Sequence, residues 1–322
     1  MSDKQYYYAV ARLRSKELAL LNSAFIEQLL GTKNADECLR LLHDKGWGST
    51  DTANVEKLLA DEKKKTWDLI TELVDDMSIF NVLLLNYDYH NLKAAIKETC
   101  TEYKHANIYS EEGTVAPEII SKAIDSRDFS LLPVRMRSIA EEALESLLHT
   151  RDGQLCDIMI DKAALEAIRD AGKNTGCDIL KLYGELTVVS SDIKVAVRAA
   201  KTGKDLAFLQ KSLAACDTID TVILSQAALE GTDAICNYLS STKYADAVSE
   251  LKTSPSAFER WCDNLIIRTI RPEIHHPFTV GPLAAYIIAR ENEIKTVRII
   301  LSGKINSLPE ESIRERVREM YV

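Results

Sequence analysis

Apolar residues recur along most of this chain at intervals of three and four, and the breaks between runs carry helix punctuation. In "NADECLRLLHDKG" (34–46), Asn34 has the position of an N-cap, Glu37 stands three residues on, and Gly46 has the position of a C′ residue. "SLPEESIRERVREMYV" (307–322) reads as another helix. Ser307 is its N-cap, Pro309 lies in the first turn, and Ile313, Val317 and Met320 form its apolar stripe. Strand-like alternation is confined to "LTVVSS" (186–191) and is weak there. The pattern predicts an all-α fold.

The helical pattern also repeats. Lys93, Lys194 and Lys295 are each 101 positions apart, in "NLK", "DIK" and "EIK". In a common frame, Leu92, Ala95, Ile96 and Thr99 match Ile193, Ala196, Val197 and Ala200, then Ile294, Val297, Arg298 and Leu301. Each copy thus has an apolar face, broken only by Arg298, and carries cations off that face. These are Lys93 and Lys97, then Lys194, Arg198 and Lys201, then Lys295 and Arg298. Acids or amides are expected to open the three helices: Asp88 and Asn91, Asp192, and Glu291 and Glu293. Glycines follow alike in "KTGKD" (201–205) and "LSGKI" (301–305), where they read as helix stops. A second echo, T-K-x-A-D at 32–36 and 242–246, is spaced at about two periods.

A repeat of about 100 residues exceeds an ordinary solenoid unit. It predicts three similar helical lobes around a common axis, assigned to residues 1–110, 111–212 and 213–322.

Composition narrows the function classes. A net charge of −9 argues against general nucleic-acid binding, which concentrates basic charge. The longest apolar run, "PLAAYIIA" (282–289), is far short of the ~20 residues of a membrane span. The start, "MSDKQYYYAV", has no signal-peptide core, so a soluble intracellular protein is expected. In the stretch that follows, Tyr8, Val10 and Leu13 are expected to face inward. Seven scattered cysteines without a C-x-x-C read as buried thiols.

No chemistry stands out. "AGKNT" (171–175) lacks the leading glycine and the final Ser/Thr of a phosphate loop, and "GWGSTD" (46–51) fails as G-x-G-x-x-G. His275-His276 precedes Pro277 and reads as a turn, since adjacent residues share no helix face. No catalytic, cofactor-binding or metal-ligating residue is therefore assigned. An adapter is expected instead, with contacts made by Lys93, Lys97, Lys194, Arg198, Lys295 and Arg298 as basic stripes. Arg298 has a second reading, as a buried ion pair between lobes. Asn91, Asp192 and Glu293 are assigned to the same contact set as residues that orient the helix starts.

The C-terminal segment 282–322 resembles that of the C subunit of V/A-type ATPases, called the d subunit in the eukaryotic vacuolar enzyme. The likeness rests on Pro282, Tyr286, Ala289, Arg290, Glu291, Glu293, Ile294, Lys295, Val297, Arg298, Gly303, Lys304, Ile313, Arg314, Arg316 and Tyr321. "YYYAVARLRSKELALLNSAFIEQLL" near the start, with "TKNADECLRLL" and "GW" after it, is similar to the family's first helices. The resemblance implies a funnel of three lobes with pseudo-threefold symmetry. It also implies a non-catalytic rotor subunit without nucleotide or other cofactor, which seats the central shaft of D and F subunits on the membrane proteolipid ring, at the cytoplasmic face. The alternatives are a free-standing helical scaffold and an enzyme whose carboxylates carry no local signature.

Overall fold

The computed structural model describes residues 4–48, 54–101 and 108–322. Among them every regular element is helical. The first half contains α1 (Lys4–Glu17), α2 (Ser23–Leu30), α3 (Ala35–Asp44), α4 (Val55–Leu73), α5 (Leu85–Thr101), α6 (Pro117–Ser126), α7 (Val134–Thr150) and α8 (Gly153–Asn174). The second contains α9 (Asp178–Thr202), α10 (Leu206–Ser212), α11 (Thr221–Glu230), α12 (Thr232–Ser240), α13 (Ala247–Thr253), α14 (Pro255–Ile270), α15 (Gly281–Ile305) and α16 (Glu310–Arg314).

Side-chain caps place many of the helix starts. The carbonyl oxygens of Asn22, Asn34 and Asn54 accept from Phe25, Glu37 and Lys57 N–H groups, and Asp152, Asp205, Asp220 and Ser254 act alike. Each satisfies a donor that the helix leaves open, at about 1 kcal/mol. Asn34 and Gly46 (φ 88°) hold the positions expected of them at the two ends of α3.

Packing divides the chain into two compact units. The first comprises Met1–Met77, Cys177–Ile179 and Ser249–Val322, so the two ends of the chain share one core. Ile26, Leu30, Leu42 and Leu58 from the amino end pack there with Val297, Leu301, Ile313 and Met320 from the carboxyl end. In this unit α15 lies along α4, and its first ten residues are buried on every side. The apolar run 282–289 is thus a core helix. Among the described residues, no helix is long and apolar enough to cross a membrane.

The second unit comprises Ser78–Gly176 and Leu180–Val248. Its core includes Tyr89, Leu92, Ile96, Ile120, Ile124, Met136 and Ile160, with α5 packed on α6 and α8.

Several local expectations are corrected. "LTVVSS" lies inside α9, where Leu186, Val188 and Val189 are buried by tertiary packing that overrides β propensity. Gly203 (φ 63°) does end α9, whereas Gly303 lies within α15. Gly303 is there for space, since a Cβ would stand 2.5 Å from Ile313 Cγ1. Ser307 is no N-cap. It takes a left-handed conformation (φ 53°) at the turn after α15, and α16 starts only at Glu310. Tyr8 is 72% exposed, while Val10 and Leu13 are buried as expected. Cys38, Cys156, Cys177, Cys236 and Cys262 are buried, and Cys100 and Cys216 partly so.

Gly172 gives a test of helix packing in the second unit. A Cβ there would meet the Leu180 carbonyl oxygen at 2.7 Å and Lys181 Cα at 3.3 Å. Alanine is the better helix former by about 1 kcal/mol, but overpacking against backbone costs about 1–3 kcal/mol. Gly172→Ala is expected to lower stability by on the order of 1 kcal/mol in urea unfolding, and Gly303→Ala by less, because the Ile313 side chain can turn aside. A stabilised Gly172→Ala variant would show that α8 and α9 are not in tight contact at this point.

Candidate functional site

Asn91, Asp192 and Glu293 do not open their helices. They lie in the interiors of α5, α9 and α15, with relative exposures of 0%, 0% and 1%. Each accepts a hydrogen bond from a backbone N–H of a segment distant in sequence. Asn91 Oδ1 takes Ser110 N–H at 2.8 Å, Asp192 Oδ1 takes Ala214 N–H at 3.1 Å, and Glu293 Oε1 takes Leu21 N–H at 2.6 Å. Ser110, Ala214 and Leu21 precede the short helices α6, α11 and α2. The same clasp therefore occurs three times at the 101-residue interval. In the third copy the clasped segment comes from the amino end of the chain. The T-K-x-A-D echo has matching geometry too, as Thr32 and Thr242 hydroxyls donate to Leu29 and Leu239 carbonyls at 2.7 and 2.8 Å.

The surroundings of the clasps differ. Asn91 also donates its amide to Ser110 C=O at 2.8 Å, so both of its polar atoms are used. Glu293 is bound by Arg290, whose guanidinium also reaches Glu62, each at 2.5 Å. Arg290 stacks over Trp47 with its guanidinium carbon 5.0 Å from the ring centroid. Lys65 supplies a second cation to Glu62 at 2.6 Å. Burial pushes Glu293 up to about 7, against the pull of Arg290 and the Leu21 amide. Asp88, also fully buried, holds Thr114 and Val115 amides and the Arg135 guanidinium. Among the described residues, no group of three or more His, Cys, Asp and Glu side chains is placed to hold a metal ion.

The basic stripes are less free than a sequence reading suggests. Lys93 pairs with Asp161 and Lys97 with Asp157, both joining α5 to α8. Lys295 pairs with Asp263 of α14, and Arg298 with Glu56 of α4. Arg298 is thus an exposed ion pair, not a buried one: its side chain is 55% accessible. Exposed pairs of this kind contribute about 0–1 kcal/mol each. Among the described residues, Lys194 and Arg198 form no ion pair; Lys194 is half-buried and Arg198 exposed. An apolar face of α11 is also open, with Val222, Ile223 and Leu229 at 65%, 46% and 49% exposure.

The geometry thus consists of three helix-and-clasp arrangements and one buried charge network. Residues 9–316 match the family described as ATP synthase (C/AC39) subunit. The chain belongs to that family. It is similar to the C subunit of the A-type ATP synthase of Methanocaldococcus jannaschii, at 25% identity over 96% of this chain and 85% of the relative. It is likewise similar to the C subunit of the V-type sodium ATPase of Enterococcus hirae (21% identity, 98% of this chain and 99% of the relative). The C subunit of the V-type ATP synthase of Thermus thermophilus gives 24% identity over the same shares.

As a member of the C/AC39 family, the chain keeps much of its polar structure internal. Sequence reading found Glu293, Asp192 and Asn91 but gave them an outward task. It missed Arg290, Glu62, Asp88 and Glu185 as buried elements. The available signal was charge inside apolar runs: Arg290 follows "PLAAYIIA" directly.

The network predicts an asymmetric response to substitution. Arg290→Ala removes one guanidinium from two buried carboxylates and is expected to cost about 3–5 kcal/mol in urea unfolding. Glu293→Gln keeps an acceptor for Leu21 N–H and is expected to cost less than half as much. Equal losses would show that Arg290 does not neutralise the pair.

Proposed function

We propose that this protein is a non-catalytic socket of a rotary V/A-type ATPase. It joins the central shaft of D and F subunits to the membrane proteolipid ring, on the cytoplasmic side, and so couples ATP hydrolysis or synthesis to ion translocation. The observation that carries this reading is the threefold recurrence of one clasp in a chain that matches the C/AC39 family along nearly its whole length. Three similar lobes, the third closed by helices from both chain ends, give a set of quasi-equivalent surfaces. Such surfaces suit partners that are themselves rotationally symmetric.

Torque passes through area, not through one strong bond. A specific interface buries about 1,600 Å², and a socket needs one toward the shaft and another toward the ring. Packed helices resist deformation, which is what a torque-bearing part requires. In this reading Lys194 and Arg198 steer an acidic partner surface, and the open face of α11 supplies apolar contact. Lys93, Lys97, Lys295 and Arg298 act at the rim through charges already shared with their own acids.

Capture experiments test the role. Full-length tagged protein is expected to retain the D and F shaft subunits and the proteolipid from solubilised membranes, with no turnover of its own. Recovery of other soluble proteins without any ATPase component would instead identify a free-standing scaffold. Lys194→Glu combined with Arg198→Glu is expected to weaken assembly about tenfold, equal to about 1.4 kcal/mol, while circular dichroism shows unchanged helicity. Unaltered assembly would assign both cations to solvent.

A further inference from the structure

The three clasps use one geometry but differ in what else meets the polar side chain. Asn91 is neutral and spends both polar atoms on Ser110. Glu293 lies on Arg290, which favours its anion. Asp192 has neither solution. It is fully buried, its Oδ1 accepts one N–H from Ala214, and its Oδ2 has no partner. Among the described residues, no cation lies within ion-pair distance of it. The groups that face it are Lys162 and Glu166 on α8, Glu185 on its own helix and the thiol of Cys216 in the clasped segment. Lys162 spends its ammonium on Gln210 C=O at 3.0 Å. Glu166 and Glu185 are both acids and repel an anion.

The segment that Asp192 holds is tied at its surface by Arg169 to the Ala215 carbonyl and by Lys173 to Asp217, while its inward amides turn to α9. Glu185, two helical turns earlier on α9, accepts Asp217 and Thr218 N–H groups, both at 2.9 Å, and the Thr218 hydroxyl at 2.7 Å. Its second oxygen is also without a partner. The Ala214, Asp217 and Thr218 N–H groups are therefore all held by two buried carboxylates of one helix, with one unsatisfied oxygen on each. An ion buried without a counter-ion is strongly disfavoured, and the site takes up a proton instead.

We propose that Asp192 clasps Ala214 as the neutral acid, a stand-in for Asn91, and that losing its proton loosens the 213–218 connection between α10 and α11. The proton moves between the carboxyl oxygen and water, with no other bond made or broken. The acid form has the shape and hydrogen-bonding capacity of the Asn91 amide: one acceptor for the N–H and one donor for a carbonyl. Burial pushes the group up to about 7, with Glu166 and Glu185 adding to the rise and Lys162 and the Ala214 amide opposing it. The stabilising contribution is therefore complete below about pH 4, where the unfolded carboxyl also holds its proton, and is lost as pH rises through about 7. The clasp would act in this way whichever partners the protein joins.

Hydrogen exchange on the full-length chain tests this. The Ala214, Asp217 and Thr218 amides, corrected for intrinsic exchange, are expected to lose protection about tenfold per pH unit between roughly pH 4 and 7, then level off. Asp192→Asn is expected to abolish that slope and to protect these amides up to about a thousandfold better than the native protein at pH 8. Parallel profiles in the two proteins, or protection lost in Asp192→Asn already at pH 5, would overturn the proposal. Carbon-13 NMR of aspartate-labelled native protein gives an answer without any variant. The Asp192 carboxyl is expected to titrate near 7, and an inflection near the ordinary value of about 4 would refute the idea.

Discussion

The structure depends on a recurring constraint: a polar side chain in the middle of a long, buried helix must find a partner, and finds it in a backbone N–H. Asn91, Asp192 and Glu293 each do so with the segment that leads to a short helix. The bond is modest in itself, at about 1 kcal/mol. Its leverage comes from burial, because a broken clasp leaves an unsatisfied group out of contact with water. That asymmetry fixes where the chain returns after each long helix, and so gives each copy the same layout. It also explains why the two chain ends share a core. The clasp of α15 requires Leu21, which only the amino end can supply.

Similar geometry has been kept with different electrostatics. An amide, a carboxylate with an arginine, and a lone carboxylate occupy equivalent places. The first is satisfied by reciprocal hydrogen bonds with one residue. The second needs Arg290, which in turn brings Glu62, Lys65 and the face of Trp47 into one network. The third, in our proposal, is settled by protonation. Buried charge adds little net stability on average, but removal of one partner is costly. The Arg290 network thus defines one arrangement of α4 and α15 more than it strengthens the fold.

How much of this was legible in the sequence varied with the kind of signal. The helical class followed from spacing and from the caps at Asn34 and Gly46, which are local and carry their own geometry. The 101-residue interval was legible as well, and Asn91, Asp192 and Glu293 stand at its equivalent points. Their task was misread because a polar residue next to a lysine looks like a helix start, and only tertiary packing shows that it lies mid-helix and inside. The pairing of the basic stripes was not legible for a related reason. Asp161, Asp157, Asp263 and Glu56 neutralise four of the six cations from helices remote in sequence, and no local pattern announces such pairs. "LTVVSS" and Gly303 show the same limit, since the burial of α9 and the approach of Ile313 decide them.

In the proposed role, a torque-bearing socket needs stiffness and breadth more than reactive groups, and repetition of one clasped unit would supply both. The most direct measurement is an electron-microscopic reconstruction of the intact ATPase containing this chain. The account predicts the chain between the central shaft and the proteolipid ring, with α5, α9 and α15 in equivalent settings around a central hollow that receives the shaft. A reconstruction with the chain outside the rotor, or with those three helices in unrelated settings and no hollow between them, would contradict it.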